Sequence, residues 1–299
     1  MNKMLSIVIP SRNEQFLEPT ILDLLKKAHG DIEIIVVLDG YWPKPEEIVN
    51  DDRVIYLHKG ASEGMRQGIN SGVAIAKGEY ILKLDGHCML DKNFDLELIK
   101  VHQDNWIQVP TRRKLDAENW CAVASGNRDI NYMYLSYPDD PNDRGGIGLH
   151  GKVWNDRNTN KALRKDKIVD LMSAQGSCYF MKKSYFYELE LLDHENYGPF
   201  GSEFQEVGLK CWLSGGRVVR NKNTIYYHLH KGKRYGRGYF LNNKDMAKAN
   251  DFTNKWISGD AWDKQTKPLT WLIKHFWPIP TWTEENYEKL FGEKYELKN

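Results

Sequence analysis

An aspartate and a histidine stand two positions apart at the end of a short apolar segment, Ile81–Cys88 (ILKLDGHC). Asp85 and His87 can turn toward the same ion once the chain stops being extended, and Gly86 between them permits that turn. A carboxylate oxygen with an imidazole nitrogen forms a ligand set suited to Mn²⁺ or a similar divalent ion. An isolated pair of this kind is usually a solvated turn, so the surrounding elements must decide its interpretation.

The elements before this pair alternate between strand and helix, which predicts parallel strands joined by crossover helices. The predicted strands are Met4–Ile9, Asp31–Leu38, Arg53–Leu57 and Glu79–Leu84, and the predicted helices are Pro19–Lys27 and Ser62–Lys77. In such sheets, ligands collect at the carboxyl ends of the strands. We therefore expect Pro10–Glu14 (PSRNE), Asp39–Gly40 and Asp85–His87 to line one edge and to form a binding site.

The loop after the first strand excludes two common nucleotide-binding classes. Pro10–Glu14 stands where a dinucleotide-binding fold has G-x-G-x-x-G, and no G-x-x-x-x-G-K-[ST] segment occurs in the chain. A dinucleotide-dependent oxidoreductase and a P-loop nucleotide-binding protein are therefore strongly disfavoured.

Composition points to a soluble globular protein. The chain has 299 residues, with 42 Lys and Arg against 41 Asp and Glu, so no global field indicates nucleic acid or a membrane. Its four cysteines form no C-x-x-C pair, which argues against a zinc ribbon or a disulfide framework. Without an apolar run of membrane-spanning length or a signal peptide, we expect a cytoplasmic protein with free thiols.

The second half begins with a polar, irregular segment, Thr111–Lys167, which suits acceptor recognition or a floppy insertion about equally well. Leu171–Met181 is strand-like. A helix opens at Gly201–Glu206 and ends at Gly215, and strands are predicted at Arg217–Val219 and Thr224–Tyr227.

A local excess of positive charge follows, because Val207–Lys244 contains no Asp or Glu. Its basic residues are Lys210, Arg217, Arg220, Lys222, Lys231, Lys233, Arg234, Arg237 and Lys244. The glycine-punctuated run Lys231–Gly238 suits a diphosphate or another polyanion. A solvated basic loop is the alternative.

The last sixty residues are rich in tryptophan: Trp256, Trp262, Trp271, Trp277 and Trp282. Packing on the main domain is the commonest use of such residues and is favoured here, although an oligomer contact or stacking against an acceptor is also open. Thr281 and Glu284 form a predicted capping box for a final helix.

Taken together, these segments resemble family 2-type glycosyltransferases with the GT-A fold, a mostly parallel α/β sheet flanked by helices. The closest local likeness is to the polypeptide N-acetylgalactosaminyltransferases. The residues that carry it are Ile9-Pro10-x-x-Asn13-Glu14, Asp39, Glu63–Gly78, Leu84–Cys88, Gly201–Gly216 and the later histidine. The resemblance covers roughly residues 4–235. It implies a catalytic domain at 1–240, with a nucleotide-sugar half at about 1–100 and an acceptor half at about 101–240, followed by an extension at 241–299.

The resemblance also implies roles for individual residues. Donor binding falls to Pro10, Arg12, Asn13, Glu14, Asp39, Arg66, Asp85, Lys231, Lys233 and Arg234. Asp39 would accept from a uracil N–H or a ribose hydroxyl. Asp85 and His87 match a D-x-H metal motif, a variant of the more usual D-x-D. His228, twelve residues past the double glycine, would be the third ligand, with His230 as the fallback. The ion, Mn²⁺ or Mg²⁺, would bridge the donor phosphates.

The helix that starts at Glu203 departs from the family pattern. Inverting family 2 enzymes commonly have an Asp after the Glu, and the retaining relatives have an Asn, whereas this chain has Phe204. Glu203 keeps its position near the donor sugar or the acceptor, and Glu206 is the candidate base for an inverting reaction. The D-x-H motif and the following histidine favour retention.

The sequence therefore predicts a metal-dependent glycosyltransferase that uses a nucleoside-diphosphate sugar, with a UDP-sugar preferred. A nucleotidyltransferase acting on sugar phosphates and a non-catalytic nucleotide-sugar-binding module are the alternatives. The acceptor stays open between a glycan, a protein, a lipid-linked sugar and a modified nucleic acid. The tail could support a homo-oligomer.

Overall fold

The computed structural model describes residues 3–123, 129–140, 148–237, 239–240 and 242–295. Part of the predicted irregular segment and Gly238 of the basic run lie outside these residues.

Strands and helices still alternate in the first part of the described chain. The strands are β1 Leu5–Ser11, β2 Ile32–Asp39, β3 Val54–Lys59, β4 Tyr80–Leu84, β5 Cys88–Leu90, β6 Trp106–Asp116, β7 Cys121–Ala122, β8 Met133–Leu135, β9 Gly151–Val153, β10 Ile168–Asp170, β11 Cys178–Lys182 and β12 Arg217–His228. The helices are α1 Leu17–Lys27, α2 Met65–Ile75, α3 Phe94–Lys100, α4 Asn155–Thr159, α5 Lys161–Lys165, α6 Lys183–Glu188, α7 His194–Tyr197, α8 Glu203–Leu213, α9 Gly232–Tyr235, α10 Asn243–Thr253, α11 Lys255–Ser258, α12 Leu269–Phe276 and α13 Glu284–Phe291. A 3-10 turn lies at Pro45–Glu47.

One sheet joins both halves of the chain, in the order β10-β12-β6-β11-β4-β1-β2-β3. The strands β4, β1, β2 and β3 are parallel, as predicted. Strand β11 is antiparallel to both β4 and β6, and β12 is parallel to β6. Strand β12 therefore runs in the same direction as β4. Its carboxyl end, at His228, consequently lies at the edge where β4 delivers Asp85.

Burial explains why the central strands read as continuous apolar runs. All residues of β2 and β4 are buried. Such strands are covered by elements on both faces of the sheet, and α1 and α2 are the crossover helices that the alternating sequence predicts. The main hydrophobic core extends from Leu5 to Tyr287, so the tail shares the core of the sheet.

Several predicted boundaries are wrong, each for a physical reason. Helix α2 begins at Met65 and not at Ser62, because the Asp39 carboxylate accepts hydrogen bonds from Ser62 Oγ and from the Glu63 and Gly64 amides. Gly64 has φ +92°, a conformation that glycine adopts without steric cost.

The second half differs more from the prediction. The Leu171–Met181 segment is a strand only from Cys178, and the polar segment predicted from Thr111 still forms β6 as far as Asp116. The two strands predicted between Arg217 and Tyr227 are one strand, β12, whose register shifts between Asn221 and Ile225.

The tail places three tryptophans in the interior. Trp256, Trp262 and Trp282 are buried, and the Trp282 indole donates to the Leu135 carbonyl at 2.9 Å. The predicted capping box is wrong by two residues, since Thr283 and Asn286 cap α13. Thr281 instead accepts a hydrogen bond from the Tyr137 amide. Oligomer formation through this tail stays a prediction.

No helix within the described ranges is long and apolar enough to cross a membrane. The cytoplasmic location stays a prediction.

Two glycines of α2, Gly68 and Gly72, give a test of how the helix packs against the sheet. We expect Gly72→Ala to lower the free energy of unfolding by about 1–3 kcal/mol, because its new Cβ would lie 2.5 Å from Val8 Cγ1. Gly68→Ala is the matched control, since its nearest neighbour would be Pro10 Cβ at an ordinary 3.6 Å. It should be neutral or stabilising by up to about 1 kcal/mol. Urea denaturation of both variants makes the comparison, and equal effects would contradict the close approach.

Candidate active site at the carboxyl edge of the sheet

Asp85, His87 and His228 meet at the carboxyl edge of the sheet. One potential ligand atom from each lies within 4.8 Å of the others. His228 Nε2 lies 3.2 Å from Asp85 Oδ2, and His87 Nε2 lies 3.8 Å from the same oxygen. Strand β5 pairs with β12 so that Cys88 faces His228, which brings His228 beside His87. Among the described residues, His230 is not part of this group and is exposed.

Glu14 orients His87 from the loop that follows β1. The Nδ1–H group of His87 donates to Glu14 Oε2 at 2.9 Å, and Lys231 Nζ donates to the same oxygen at 2.6 Å. Burial raises the pKa of Glu14, but the hydrogen bond and charge of His87 and the charge of Lys231 outweigh it, so the pKa is lowered. Glu14 therefore stays ionised and leaves His87 Nε2 facing the other two side chains.

Lys83 holds two carboxylates together beneath the edge. Its side chain is 1% exposed, and Nζ donates to Asp85 Oδ1 at 2.7 Å and lies 3.2 Å from Glu203 Oε1. Burial lowers the pKa of Lys83, but the charges of Asp85 and Glu203 outweigh it and raise the pKa above its usual range. For Asp85, burial raises the pKa, but the Lys83 charge and the hydrogen bond from His228 hold the pKa well below its usual range.

Glu203 begins helix α8 and is held by two side chains. Tyr179 Oη donates to Glu203 Oε1 at 3.1 Å, the same oxygen that lies 3.2 Å from Lys83 Nζ. Burial raises the pKa of Glu203, and the Lys83 charge offsets only part of that increase. The Lys83 side chain therefore bridges Glu203 and Asp85.

His228 has a different second partner from His87. Its Nδ1 accepts a hydrogen bond from Arg112 Nη2 at 3.1 Å, and Arg112 is 3% exposed. Burial lowers the pKa of His228 to about 4, and the hydrogen bond to Asp85 offsets only part of that shift. His228 is therefore neutral near pH 7.

Arg66 and Glu206 belong to a buried charge network. Both side chains are fully buried and form an ion pair. Glu206 Oε1 also accepts from Lys210 Nζ at 2.9 Å and from the Asp193 amide at 2.9 Å. The Arg66 guanidinium lies 4.5 Å from the ring centre of Tyr197. This burial does not support the predicted donor contact of Arg66 or the predicted role of Glu206 as a base.

The remaining predicted donor residues are spread along the edge. Asp39 is 4% exposed and already accepts from the segment before α2. Arg12 is exposed and lies over the Tyr239 ring, with 5.0 Å between the guanidinium carbon and the ring centre. Pro10 is half-buried near the end of β1, and Asn13 has φ +51° in the following loop.

Within the described part of the basic run, Lys231 is linked to the site indirectly, because it contacts Glu14, which contacts His87. Lys233 is exposed on α9. Arg234 pairs with Glu118, and both side chains are more than half exposed.

The chemistry of these side chains fits a divalent ion. Ligands about 2.1 Å from an ion lie roughly 3–4 Å apart, and the distances from Asp85 Oδ2 to both histidines fall in that range. A ligating histidine ordinarily donates its other N–H to a carboxylate, as His87 does to Glu14. Asp85, His87 and His228 would hold the ion.

Sequence reasoning missed Lys83, Tyr179 and Arg112. A lysine inside the apolar run of β4 was a usable signal, because a buried lysine requires a charged or polar partner. Arg112 gave no comparable signal, since it lies in a segment that reads as polar and irregular. Glu203, which contacts both Lys83 and Tyr179, and His228, which contacts Arg112, come from distant parts of the chain.

Comparison with known proteins agrees with this geometry. A family profile described as "Glycosyl transferase family 2" matches residues 6–188. Glycosyltransferase GlyG of Streptococcus pneumoniae serotype 4 is 34% identical over 99 residues, which covers 31% of this chain and 33% of that protein. The matched region thus spans about a third of that relative's length.

Two solved structures share the fold. GalNAc-T7 with UDP, GalNAc and Mn²⁺ superposes with a TM-score of 0.67 at 18% identity, covering 91% of this chain and 56% of the other. Residues 1–349 of S. aureus TarS in complex with UDP-GlcNAc give a TM-score of 0.54 at 13% identity, covering 88% and 68%. At these identities the likeness concerns the fold, and it confirms the predicted GT-A type of α/β architecture.

Proposed function

Because this chain belongs to glycosyl transferase family 2, we propose that it is a metal-dependent glycosyltransferase acting on a nucleoside-diphosphate sugar. The observation that carries the proposal is the meeting of Asp85, His87 and His228 at the carboxyl edge of the sheet. A bound divalent ion would neutralise charge on the departing diphosphate. The UDP and UDP-GlcNAc named for the two structural neighbours make a UDP-sugar the donor to test first.

The chain's own residues supply positioning around the donor. Lys231, next to Glu14, brings a positive charge to the side where the diphosphate would lie. Arg12 and Asp39 border the same edge and are the candidates for contacts with the nucleoside. Lys83 keeps Asp85 and Glu203 in a fixed relation, so that metal ligand and helix start act as one rigid unit.

Glu203 is the proposed residue beside the donor sugar or the acceptor. Phe204 is 2% exposed and packs in the core, and Glu206 is held in its own buried network. Neither offers the base that an inverting reaction needs at this helix start. This supports a retaining reaction, which the anomeric configuration of the product, read by NMR, would test.

The decisive experiment is a donor panel of UDP-, GDP- and TDP-sugars, read by release of the nucleoside diphosphate. We expect UDP release that requires Mn²⁺ or Mg²⁺ and stops when a chelator is added. Mass spectrometry of glycan, protein, lipid-linked and nucleic-acid acceptors then identifies the product.

The other outcomes separate the alternatives. Pyrophosphate released from a nucleoside triphosphate and a sugar phosphate would replace this proposal with nucleotidyl transfer. Donor binding by calorimetry without turnover of any donor would favour a non-catalytic module. Turnover that persists in chelator would contradict the role given to the metal.

A further inference from the structure

Arg112 lies behind His228 and is poorly satisfied for a buried cation. It is 3% exposed, and among the described residues its Nε and Nη1 groups have no hydrogen-bond partner. Its one side-chain hydrogen bond within those residues runs from Nη2 to His228 Nδ1, at 3.1 Å. A buried N–H group without an acceptor destabilises the fold. Both the Nε and the Nη1 group can therefore donate to an anionic oxygen that enters the site.

The hydrogen bond from Arg112 decides which nitrogen of His228 carries the proton. A guanidinium only donates, so Nδ1 must accept and the proton of the neutral ring must be on Nε2. That Nε2–H then donates to Asp85 Oδ2 at 3.2 Å. A protonated ring nitrogen has no lone pair for a metal. His228 thus has the right position for coordination and the wrong tautomer.

His87 shows the opposite arrangement in the same site. Its Nδ1–H donates to Glu14, so Nε2 carries the lone pair and faces Asp85. A carboxylate behind a histidine favours coordination, whereas a guanidinium behind it opposes coordination, both through the tautomer and through its positive charge. The two histidines of one site therefore carry their ring protons on different nitrogens, Nδ1 in His87 and Nε2 in His228.

We propose that Arg112 is a positioning residue that keeps His228 from coordinating the metal ion. This inference rests on the metal role proposed above for the site. The third ligand forms when the guanidinium leaves Nδ1 and turns to an anionic oxygen of a bound substrate. The ring proton then moves from Nε2 to Nδ1 through solvent, and His228 stays neutral throughout. Arg112 in this way links occupation of the site by an anion to completion of the ligand set.

The tautomer can be measured without any metal. In ¹⁵N NMR of the metal-free protein, with His228 assigned through His228→Gln, the wild type should show the Nε2–H form. Arg112→Gln, whose amide oxygen can accept from Nδ1–H, should shift the ring toward the Nδ1–H form. Arg112→Met removes the donor but leaves Asp85 Oδ2 to accept from Nε2–H, so it should shift the ring less. An Nδ1–H tautomer in the wild type would overturn the inference.

Metal affinity gives the second readout. Titration with Mn²⁺ alone, followed by calorimetry and by the electron paramagnetic resonance signal of free Mn²⁺, should show binding about tenfold tighter in Arg112→Met and Arg112→Gln than in the wild type. Arg113→Met is the matched control, because Arg113 is the exposed neighbour on the same strand. It removes the same charge and should change the affinity little. Melting temperatures confirm that each variant is folded.

The outcomes separate this inference from the proposed function. Unchanged or weaker Mn²⁺ binding in folded Arg112 variants would overturn the role of Arg112, even if sugar-nucleotide turnover were established. Absence of turnover with every donor would overturn the proposed function. The NMR measurement of the His228 tautomer would still test the role of Arg112 in that case.

Discussion

Asp85→Asn should lower kcat/KM for nucleoside-diphosphate release on the order of 10³-fold, equivalent to about 4 kcal/mol of transition-state stabilisation. The substitution keeps the shape of the side chain and removes the negative charge that His87 and His228 converge on. A neutral amide oxygen is a much weaker ligand for a divalent ion than a carboxylate oxygen. The loss should appear in both kcat and metal affinity.

Stability must be separated from chemistry in this variant, because Asp85 is also a counter-ion of Lys83. Glu203 remains beside Lys83 at 3.2 Å, so we expect the protein to fold, with its melting temperature as the check. Asp104→Asn is the control, since that side chain is 83% exposed and pairs only at the surface with Lys182. Turnover by folded Asp85→Asn within about threefold of the wild type would contradict the assignment.

Glu206→Gln should lower the free energy of unfolding by about 3–5 kcal/mol, the largest stability effect expected in this chain. Glu206 is the carboxylate between Arg66 and Lys210, and the three side chains are at most 3% exposed. Removing its negative charge leaves Arg66 and Lys210 buried with no ion-pair partner among the described residues. Loss of an acceptor for the Asp193 amide adds to the cost.

Urea denaturation measures this effect. The control variant is Glu195→Gln, because Glu195 is an exposed residue of α7. The control should change the free energy of unfolding by less than about 0.5 kcal/mol. The experiment also judges the sequence-based assignment of Glu206 as a base. A variant with wild-type stability and a large loss in kcat would restore the catalytic role and contradict the structural one.

Much of the fold follows from local patterns. The buried strands ending near Pro10, Asp39 and Asp85 could be predicted because apolar runs and strand–helix alternation report burial and parallel pairing directly. Boundaries were less accurate where a distant side chain intervened. The start of α2 is an example, since Asp39 holds residues 62–64 out of the helix.

The sequence by itself determined the Asp85–His87 pair at a strand end, and its family resemblance selected His228 over His230 as their partner. Only the tertiary structure decided what stands behind each of these side chains. Glu14 lies behind His87 and Arg112 behind His228, at sequence separations of 73 and 116 residues. It also decided that Glu203 contacts Lys83, the partner of Asp85, while Glu206, one helical turn away, pairs with Arg66 and Lys210. Residue type and spacing reveal which groups can ionise or coordinate, but their charge state and tautomer depend on buried partners that packing brings from distant segments.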